Sequence, residues 1–456
     1  MKILFNKGPV YTTFGFVDAD MAQRQNVISV VDRVCKAKPD GYIYMPSYKA
    51  GHWDGYIKLN KGNKFPTGLL DDVLPGLNGH AYEIADAIEW PPIAWDIVCP
   101  SMCNGITLRD YQFGAIQTLL KAGNGVAKMA TNAGKTAVEA AIAKAVCCPV
   151  ILLTMKKDLL CQLANVIGEY TGETVGMIGG GHDNWHRVTV ATIQTLIRHK
   201  EWVSKGLWGC VMFDEVHHVP SKTSQEIMLG INAPYRFGFS GTPLRYSDLN
   251  DLLLVAAAGP IRVEVTNQDL IEAGVSATPT IFMYYISDSK ADFKADWRSA
   301  YDSQIVDCCQ RNDIIVRELE QRVYNSALVL VDRLEHGNLL SQQLPDAIFV
   351  SGKSSIDDRM DALVLLREGN GAIVIATPIF DEGVDVPAVD LLVLASGGVT
   401  NIKLLQRIGR GMRRKEGSNQ LQVIDFVDDT NKYLLEHSLA RAKIYEGEGF
   451  QVEMIQ

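Results

Sequence analysis

Residues 128–146 read KMATNAGKTAVEAAIAKAV, and this stretch decides the fold. A short apolar run leads into a loop of small residues that ends in Gly-Lys-Thr at 134–136, and an alanine-rich segment follows. Strand, loop and helix in this order are the setting of a phosphate-binding loop, whose backbone N–H groups receive phosphate oxygens. The general pattern begins with a glycine, but Met129 stands there. Asn132 lies mid-loop, and asparagine tolerates a positive φ better than most residues.

Similar short apolar runs recur along the rest of the chain. They are GVAKMA, PVILLT, RVTVAT, GCVMFD and RFGFSG in one part, and TPTIFMYYI, ALVLVD, AIFVSG, AIVIAT, DLLVLAS and LQVIDF in another. Continuous runs of this kind are typical of parallel strands that helices cover on both faces. Before them, LRDYQFGAIQTLLKAG predicts an amphipathic helix that Gly123 ends. We therefore predict two consecutive α/β units.

A pair of carboxylates follows one of these strands. VMFDEVHH places Asp214 and Glu215 at the end of an apolar run. In phosphate-loop enzymes an aspartate at this place holds Mg²⁺, and Glu215 is placed to orient the attacking water as a base. Lys135 would reach the β- and γ-phosphates, and the Thr136 hydroxyl would bind Mg²⁺. A chance Gly-Lys-Thr and a solvated acidic turn are the alternatives, and the occurrence of both motifs in one α/β unit disfavours them. The predicted cofactors are ATP and Mg²⁺.

The first hundred residues have a different character. They are rich in aromatic residues and glycine, and GYIYMP and GYIKLN are predicted strands. EWPPIAWDIVCP has the prolines of a linker. Residues 33–64 hold seven basic side chains against two acidic ones, an excess of five, although the net charge of the chain is −9. The overall charge argues weakly against a nucleic-acid partner, whereas the local excess favours one.

Composition excludes several classes of protein. No apolar run reaches the roughly 18 residues of a membrane span, and the N-terminus lacks the features of a signal peptide. Nine cysteines occur without the paired spacing of a zinc site, so we expect reduced, mostly buried thiols. We predict a cytoplasmic protein.

Ordered motifs between about residue 105 and residue 430 resemble those of superfamily 2 helicases. LRDYQ looks like the adenine-side motif, and MATNAGKT, LLTMKKDLLCQ, VATIQTL, DEVH and FSGTP look like motifs I, Ia, Ib, II and III. VLVDRLEHGNLL, IATPIFDEGVDVP and QRIGRGMRR resemble motifs IV, V and VI. Motif I of this superfamily usually lacks the first glycine, which accounts for Met129. Motif Ia departs from the usual Pro-Thr, because Met155 and Lys156 stand there. The N-terminal stretch YIYMPSYKAGHWDGYIKLNKGNKFPTGLL, and Arg311-Asn312 ahead of a helix, are similar to UvsW-type phage helicases.

The resemblance implies roles for particular residues. The implied catalytic residues include two arginine fingers from motif VI and are Lys135, Asp214, Glu215, Arg410 and Arg413. The implied nucleotide-binding residues are Gln112, Thr131, Asn132, Ala133, Gly134, Lys135, Thr136, Gly383, Asp385, Arg410 and Arg413, with Thr136 and Asp214 as metal ligands. The implied coupling residues between the ATP and DNA sites are His217, Ser240, Thr242 and Gln406. For the two arginines, a solvated basic helix face is the alternative.

The resemblance also implies DNA contacts. In the helicase motifs the implied residues are Lys156, Thr192, Gln194, Arg333 and Thr377, for which helix caps and core hydroxyls are the alternative. In the N-terminal region Trp53 and Tyr56 are candidate stacking platforms, flanked by lysines that include Lys58, Lys61 and Lys64. The alternative is that Trp53 anchors a small β-rich core beside an Asp54-Gly55 hairpin turn, and that the lysines are solvated charges.

The fold that we predict is α/β, with two tandem RecA-like parallel-sheet domains (102–273 and 274–456) preceded by a small α+β N-terminal DNA-binding domain (1–101). The implied function is an ATP-dependent DNA helicase that unwinds or branch-migrates forks, displacement loops and four-way junctions in replication, recombination or repair. An RNA helicase and a duplex DNA translocase subunit of a larger restriction or repair assembly are the alternatives. We expect a monomer whose partners are single- and double-stranded branched DNA, ATP, and phage or host replication and recombination proteins, without a membrane; a phage-encoded chain would act in the host cytoplasm.

Overall fold

The structure, a computed structural model, describes residues 2–77, 79–155, 157–199, 201, 203, 207–242, 248–288, 291–377, 389–398, 404, 407–409, 411–412 and 420–456. The chain forms two compact units: Met1–Met129 with Gly134–Val265, and Ala130–Ala133 with Thr266–Gln456. None of the helices in the described ranges is long and apolar enough to cross a membrane.

The N-terminal region forms a small four-stranded sheet. Its elements are β1 Lys2–Lys7, β2 Tyr11–Val17, α1 Met21–Val34, β3 Lys36–Ala37, α2 Pro46–Lys49, β4 Ile57–Lys58, β5 Lys64–Pro66, α3 Leu70–Val73 and β6 Ala81–Asp86. The sheet order is β5-β2-β1-β6, with β1 antiparallel to β2 and parallel to β6, while β3 and β4 pair as a separate ribbon. Phe5, Phe14 and Phe65 fill the core with tilted or edge-on ring contacts, which aromatic pairs prefer over face-to-face stacking.

This small sheet packs against the first large sheet region within the same compact unit. Ala256 is part of the N-terminal core, and Leu252 and Val255 pack against that core. The approach is so close at Gly68 that an added Cβ would lie 2.0 Å from the carbonyl oxygen of Val255. Only glycine fits at this position. The N-terminal region therefore contacts the helix that contains Val255 through close backbone packing as well as through buried apolar side chains. The predicted division into three domains stays a prediction.

The first large sheet has eight strands. Its elements are α4 Asp110–Ala122, β7 Asn124–Met129, α5 Lys135–Ala145, β8 Val150–Thr154, α6 Lys157–Thr171, β9 Val175–Gly179, β10 His182–Asn184, β11 Val188–Thr192, α7 Ile193–Leu196, β12 Cys210–Asp214, α8 Lys222–Gly230, β13 Tyr235–Ser240, α9 Asp248–Ala258 and β14 Ile261–Val265. The order is β10-β9-β11-β8-β12-β13-β7-β14, and the strands are parallel except for β10. The carboxyl ends of β7, β12 and β13 therefore meet at one edge, as the sequence predicts. Gly123 ends α4 with φ 75°, also as predicted.

The second unit holds a seven-stranded parallel sheet. Its elements are α10 Asn267–Glu272, β15 Thr278–Ile286, α11 Trp297–Tyr301, α12 Cys309–Gln321, β16 Ser326–Leu330, α13 Leu334–Gln343, β17 Ile348–Val350, α14 Ile356–Glu368, β18 Ala372–Ala376, β19 Leu391–Leu394, β20 Gln420–Asp428, α15 Lys432–Gly447 and β21 Gln451–Ile455. The order is β17-β18-β16-β19-β20-β15-β21. Arg311 is fully buried and forms an ion pair with Asp428, and it lies in the first turn of α12 rather than ahead of it.

Two local predictions are wrong. GYIYMP is not a strand, because Tyr42–Tyr44 forms a 3₁₀ turn between Gly41, in the left-handed region at φ 67°, and Pro46, which begins α2. Proline lacks the N–H that a strand ladder needs but suits the first turn of a helix. The nine cysteines are free thiols, as predicted, but only four of them are buried: Cys35, Cys103, Cys148 and Cys210.

Candidate active site

The loop between β7 and α5 has the backbone that the sequence predicts. Asn132 takes a positive φ of 72°, and Gly134 takes φ 76° where it caps α5. A Cβ at Gly134 would lie 2.3 Å from the side-chain nitrogen of Gln112. The side-chain oxygen of Gln112 accepts a hydrogen bond of 2.9 Å from the backbone N–H of Arg109. The adenine-side motif and the end of the loop are therefore in contact, and this contact requires glycine at position 134.

Lys135 and Glu215 meet at the carboxyl edge of the sheet. Lys135 begins α5, and its Nζ lies 3.6 Å from Oε1 of Glu215. Asp214 is the last residue of β12, and Glu215 follows with a left-handed φ of 57°. A non-glycine residue in this region is strained by about 1–3 kcal/mol, which marks functional sites more often than ordinary turns. The contact between Lys135 and Glu215 joins the phosphate-loop motif to the carboxylate pair that follows β12.

The two carboxylates have opposite pKa shifts. Burial, with the negative charge of Glu215 added, raises the pKa of Asp214 to about 6. Burial also opposes ionisation of Glu215, but Lys135 and His217 outweigh it and lower the pKa of that carboxyl to about 2. Burial alone would lower the pKa of Lys135, yet the carboxylates of Glu215 and Asp214 raise it. Near neutral pH the site thus holds an ammonium and a carboxylate that stay charged.

Glu139 is a residue of this site that our sequence analysis did not single out. It lies one turn after Lys135 on α5, its side chain is fully buried, and neither carboxyl oxygen has a hydrogen-bond partner within the described residues. Burial and the nearby charge of Asp214 raise its pKa well above the usual value, against the pull of Lys135. The signal was present in the sequence, since positions i and i+4 share one face of a helix.

We expect Glu139→Gln to stabilise the nucleotide-free protein at about pH 8 and to change its stability little at about pH 5. Because the folded-state pKa is raised, the folded protein holds a proton that the unfolded chain releases, so stability falls as pH rises above about 4.5. A pKa difference of one between the two states is worth about 1.4 kcal/mol, and glutamine removes this loss. Urea unfolding midpoints at the two pH values measure the effect. Glu169→Gln, on the exposed face of α6, is the matched control; an equal pH dependence of stability in wild type and Glu139→Gln would contradict the prediction.

A hydrogen-bond network extends from Glu215 to the next strand. Nδ1 of His217, which is buried, lies 3.2 Å from Oε2 of Glu215 and 2.9 Å from the hydroxyl oxygen of Ser240. The Ser240 hydroxyl donates to Glu215 at 3.4 Å and accepts from the backbone N–H of Thr242 at 3.2 Å. The predicted coupling residues His217, Ser240 and Thr242 are thus one connected set. A change at the end of β13 therefore reaches the carboxylate through two hydrogen bonds.

The residues at this edge fit a divalent cation that arrives with a nucleotide. The carboxyl groups of Glu139, Asp214 and Glu215 lie near the ammonium of Lys135; that of Glu139 is fully buried, and both of its oxygens lack partners within the described residues. No group of three or more His, Cys, Asp or Glu side chains in the described ranges is arranged to hold a metal by itself. The excess of carboxyl groups, without a complete set of protein ligands for a metal in the described ranges, suits Mg²⁺, because this ion binds one or two carboxylates together with the phosphates of the substrate.

The other implied residues of the helicase motifs have mixed surroundings. Thr192 is buried, and its hydroxyl donates to that of Thr195 at 2.9 Å, which agrees with a structural role; Gln194 is exposed. Arg333 lies 3.8 Å from Asp302, and Thr377 is mostly buried after β18. Six predicted site residues lie outside the described ranges: Lys156, Gly383, Asp385, Gln406, Arg410 and Arg413.

In the N-terminal region, Trp53 is half-buried, and its indole N–H donates to the carbonyl of Tyr56 at 2.8 Å. This bond fixes the ring to its own turn and agrees with the alternative of a fold anchor. Lys61 and Lys64 close a tight turn by mutual backbone hydrogen bonds of 2.8 and 3.0 Å, and Lys58 lies on β4. All three lysines are exposed. The structure therefore presents these lysines to solvent in one short segment.

Comparison with known proteins gives the following matches. Residues 105–245 match the family model described as Type III restriction enzyme, res subunit, and residues 310–415 match the model Helicase conserved C-terminal domain. The ATP-dependent DNA helicase uvsW of Enterobacteria phage T4 is 26% identical over 471 aligned positions, covering 91% of this chain and 92% of that protein. The DNA 3'-5' translocase XPB2 of Sulfurisphaera tokodaii is 26% identical, covering 70% and 81%. The DNA-bound Type ISP restriction-modification enzyme LlaBIII shares the fold over 85% of this chain and 35% of its own, with TM-score 0.59 and 14% identity.

Proposed function

This chain belongs to the superfamily 2 DExH-box helicases, and from that premise we propose that it uses ATP hydrolysis to unwind or branch-migrate DNA at forks, displacement loops and four-way junctions. Its two parallel sheets are the RecA-like domains of the family. The observation that carries the ATPase is the connected set of Lys135, Glu215, His217 and Ser240, joined by contacts of 2.9 to 3.6 Å. Likeness to a phage DNA helicase over most of both chains supports DNA as the substrate.

Each residue of the site has a proposed role in ATP binding or hydrolysis. Backbone N–H groups of the loop and the ammonium of Lys135 bind the phosphates, and Gln112 contacts the adenine side. Thr136 and Asp214 would hold Mg²⁺, which when bound supplies charge neutralisation at the transferred phosphate. Glu215 orients the attacking water and accepts its proton, because its carboxylate stays ionised at neutral pH. His217 and Ser240 keep that carboxylate in place.

Several residues of the proposal come from the motifs alone. Arg410 and Arg413 are proposed as arginine fingers, which in other NTPases contribute on the order of 10³–10⁵ in rate. Gly383, Asp385 and Gln406 are proposed to assist nucleotide binding and coupling. Contacts to the DNA backbone are proposed for Lys156, Gln194, Arg333 and Thr377, whose residue types donate to phosphate without reading sequence, whereas the buried Thr192 hydroxyl, bonded to Thr195, is proposed to support this motif from within.

We propose that binding to branched DNA requires an additional DNA-binding surface in residues 1–101. The two helicase domains bind one strand, and that contact alone does not distinguish a junction from a simple duplex. Three exposed lysines in one segment, Lys58, Lys61 and Lys64, supply positive charge for phosphate contacts. The same proposal divides the chain into domains after residues 101 and 273. It also includes a monomeric state, partnership with phage or host recombination proteins, and action in the host cytoplasm.

Replacing Lys58, Lys61 and Lys64 together by alanine is expected to flatten the salt dependence of duplex DNA binding by up to roughly three in the slope of log K against log salt. Each phosphate contact contributes about −0.9 to that slope because it releases condensed counterions. Unwinding of forks and junctions should fall more than unwinding of a simple tailed duplex, and ATP hydrolysis without DNA should stay unchanged.

The matched control is the triple variant Lys121→Ala, Lys222→Ala and Lys294→Ala, which removes the same charge from other exposed positions. Both variants are measured by fluorescence anisotropy across a salt series. If the slope of log K against log salt is equal for the two triple variants, Lys58, Lys61 and Lys64 are solvated surface lysines that do not contact DNA phosphates.

A duplex DNA translocase within a restriction assembly is the second candidate, since one matched family model describes a restriction enzyme subunit. A strand-displacement panel of simple tails, forks and four-way junctions separates the candidates. A helicase of branched DNA displaces strands from forks and junctions in an ATP-dependent way. A chain that hydrolyses ATP on duplex DNA without displacing any strand would support the translocase, and stimulation by structured RNA above forked DNA would support an RNA helicase.

A further inference from the structure

Four lysines lie around the β3–β4 ribbon, and none of them forms an ion pair with an acidic side chain in the part of the chain that the structure describes. Lys36 and Lys38 lie 4.6 and 4.8 Å from the centre of the Tyr56 ring, and Lys49 lies 5.7 Å from that of Tyr44. The fourth, Lys58, is the direct cross-strand partner of Lys36. Within the described residues, the lysines that form ion pairs are all elsewhere: Lys2, Lys7, Lys128 and Lys135.

This arrangement of charge is unfavourable for the free protein. Like charges at directly opposite positions destabilise a strand pair, and Lys36 and Lys58 occupy such positions on a ribbon with only two residues in each strand. Cation–π contacts with tyrosine rings compensate in part. A bound polyanion would relieve the repulsion, so the ribbon has the electrostatics of a binding surface rather than of a structural element.

An exposed aromatic ring completes this surface. Tyr44 ends the 3₁₀ turn with 72% of its surface exposed, between the exposed side chains of Ile43 and Met45. The turn is held firmly, since the rings of Tyr42 and Tyr48 pack edge-on with their centres 4.9 Å apart. A largely exposed tyrosine ring is therefore held on a fixed support, beside the ammonium of Lys49 and that of Lys38, which donates to the Tyr42 hydroxyl at 3.1 Å.

We propose that Tyr44, with Lys36, Lys38, Lys49 and Lys58, forms a binding site for an unpaired DNA strand, in which Tyr44 stacks on a base and the lysines contact the phosphates on either side. We call these five residues the Tyr44 surface. The proposal rests on the proposed function only for the choice of DNA. It differs from the stacking residues predicted from the sequence, because Trp53 is bonded to its own turn and the Tyr56 ring is covered by two lysines.

An unpaired strand fits these observations better than other polyanions. Base stacking on aromatic rings beside a basic groove is the general mode of binding single strands without sequence preference. In a duplex the base faces are stacked on one another and are not available to Tyr44. An acidic peptide would satisfy the lysines but would leave the exposed ring without a partner. A strand that leaves a fork or junction offers both bases and phosphates.

The experiment uses the full chain and a fork with 2-aminopurine in its single-stranded arm, without nucleotide. Wild type and Tyr44→Phe are expected to quench the fluorophore by stacking. Tyr44→Ala should lose the quenching and bind the single-stranded arm roughly 5- to 100-fold more weakly, with an unchanged salt slope, since a ring and not a charge is removed. Tyr82→Ala, which removes another exposed tyrosine, 45% exposed, from β6, is the control and should resemble wild type.

Lys36→Ala with Lys38→Ala should flatten the salt slope on single strands by roughly 0.7 for each lost contact, while the Tyr44 ring still quenches 2-aminopurine. Full quenching and affinity in Tyr44→Ala would overturn the inference, and so would binding of polyglutamate as tight as binding of the single-stranded arm, which would make the surface a general polyanion site. Either result leaves the proposed function intact when ATP-dependent strand displacement persists in the wild type. Failure of the wild type to displace any strand refutes the proposed function instead.

Discussion

Lys135→Ala is expected to lower kcat for ATP hydrolysis by about 10³-fold or more. The ammonium is the cation of the site that lies within 4 Å of Glu215, and it begins the helix whose N-terminus would receive phosphate. Removal of one preorganised donor that stabilises developing charge typically costs 10²–10³ in rate, and here a full charge is lost. Without this ammonium, Lys135 no longer offsets the negative charge of Asp214 and Glu215 beside the phosphates, so ATP binding should weaken as well.

The matched control is Lys144→Ala, on the same helix but in its last turn, where the ammonium bonds to Asn104 at 3.3 Å. Both variants are compared by steady-state ATPase assays, with circular dichroism as the test of folding. DNA binding measured without nucleotide should be the same for both, because the change lies at the phosphate loop. Near-normal turnover in a folded Lys135→Ala protein would refute the assignment of this loop.

The success of prediction at this site has a local physical cause. Parallel strands covered on both faces must be apolar throughout, so β7, β8, β12 and β13 are visible in the sequence as continuous runs. Their carboxyl ends then lie at one edge, and because only β13 separates β7 from β12, Lys135 and Asp214 lie near each other. The positive φ of Asn132 is likewise a property of one residue type in one loop. Features that depend on chemistry within a few residues were predictable.

The features that were missed depend on how side chains pack in the fold, which the types and spacing of the residues do not show. Tyr42–Tyr44 has the aromatic and β-branched composition of a strand, but the proline that follows and the packing of Tyr42 on Tyr48 favour a tight turn. The short strands β9 and β10 form by pairing at the edge of an existing sheet. The i, i+4 spacing places Glu139 on the helix face of Lys135, but only the fold shows that its carboxyl group is fully buried and that both oxygens lack a partner in the described residues. Tyr44 is recognised as a candidate stacking residue only from the structure, in which the rings of Tyr42 and Tyr56 are covered by other side chains.

Glu215→Gln is expected to lower kcat by roughly 10²–10⁴-fold while ATP still binds with Mg²⁺. Glutamine keeps the size of the side chain and a hydrogen-bond acceptor for His217 or Ser240, but it cannot take a proton from water. The bound, unhydrolysed nucleotide should then accumulate, which a fluorescent ATP analogue measures at equilibrium. Glu264→Gln, an exposed carboxyl paired with Lys128 at 2.6 Å, is the matched control. Loss of nucleotide affinity as large as the loss of rate would give Glu215 a binding role instead.

The pH dependence of ATP binding provides an independent test of the same variant. In the wild type, protonation of Asp214 near its pKa of about 6 removes a carboxylate that would hold Mg²⁺, so affinity for Mg²⁺-ATP should weaken as pH falls from about 7 to about 5. Burial is the main cause of that raised pKa and remains in Glu215→Gln, but the second cause, the charge of Glu215, is gone. The variant should therefore keep tight binding to a lower pH than the wild type, although its turnover is strongly reduced at every pH. If affinity for Mg²⁺-ATP weakens at the same pH in both proteins, the charge of Glu215 does not affect the pKa of Asp214.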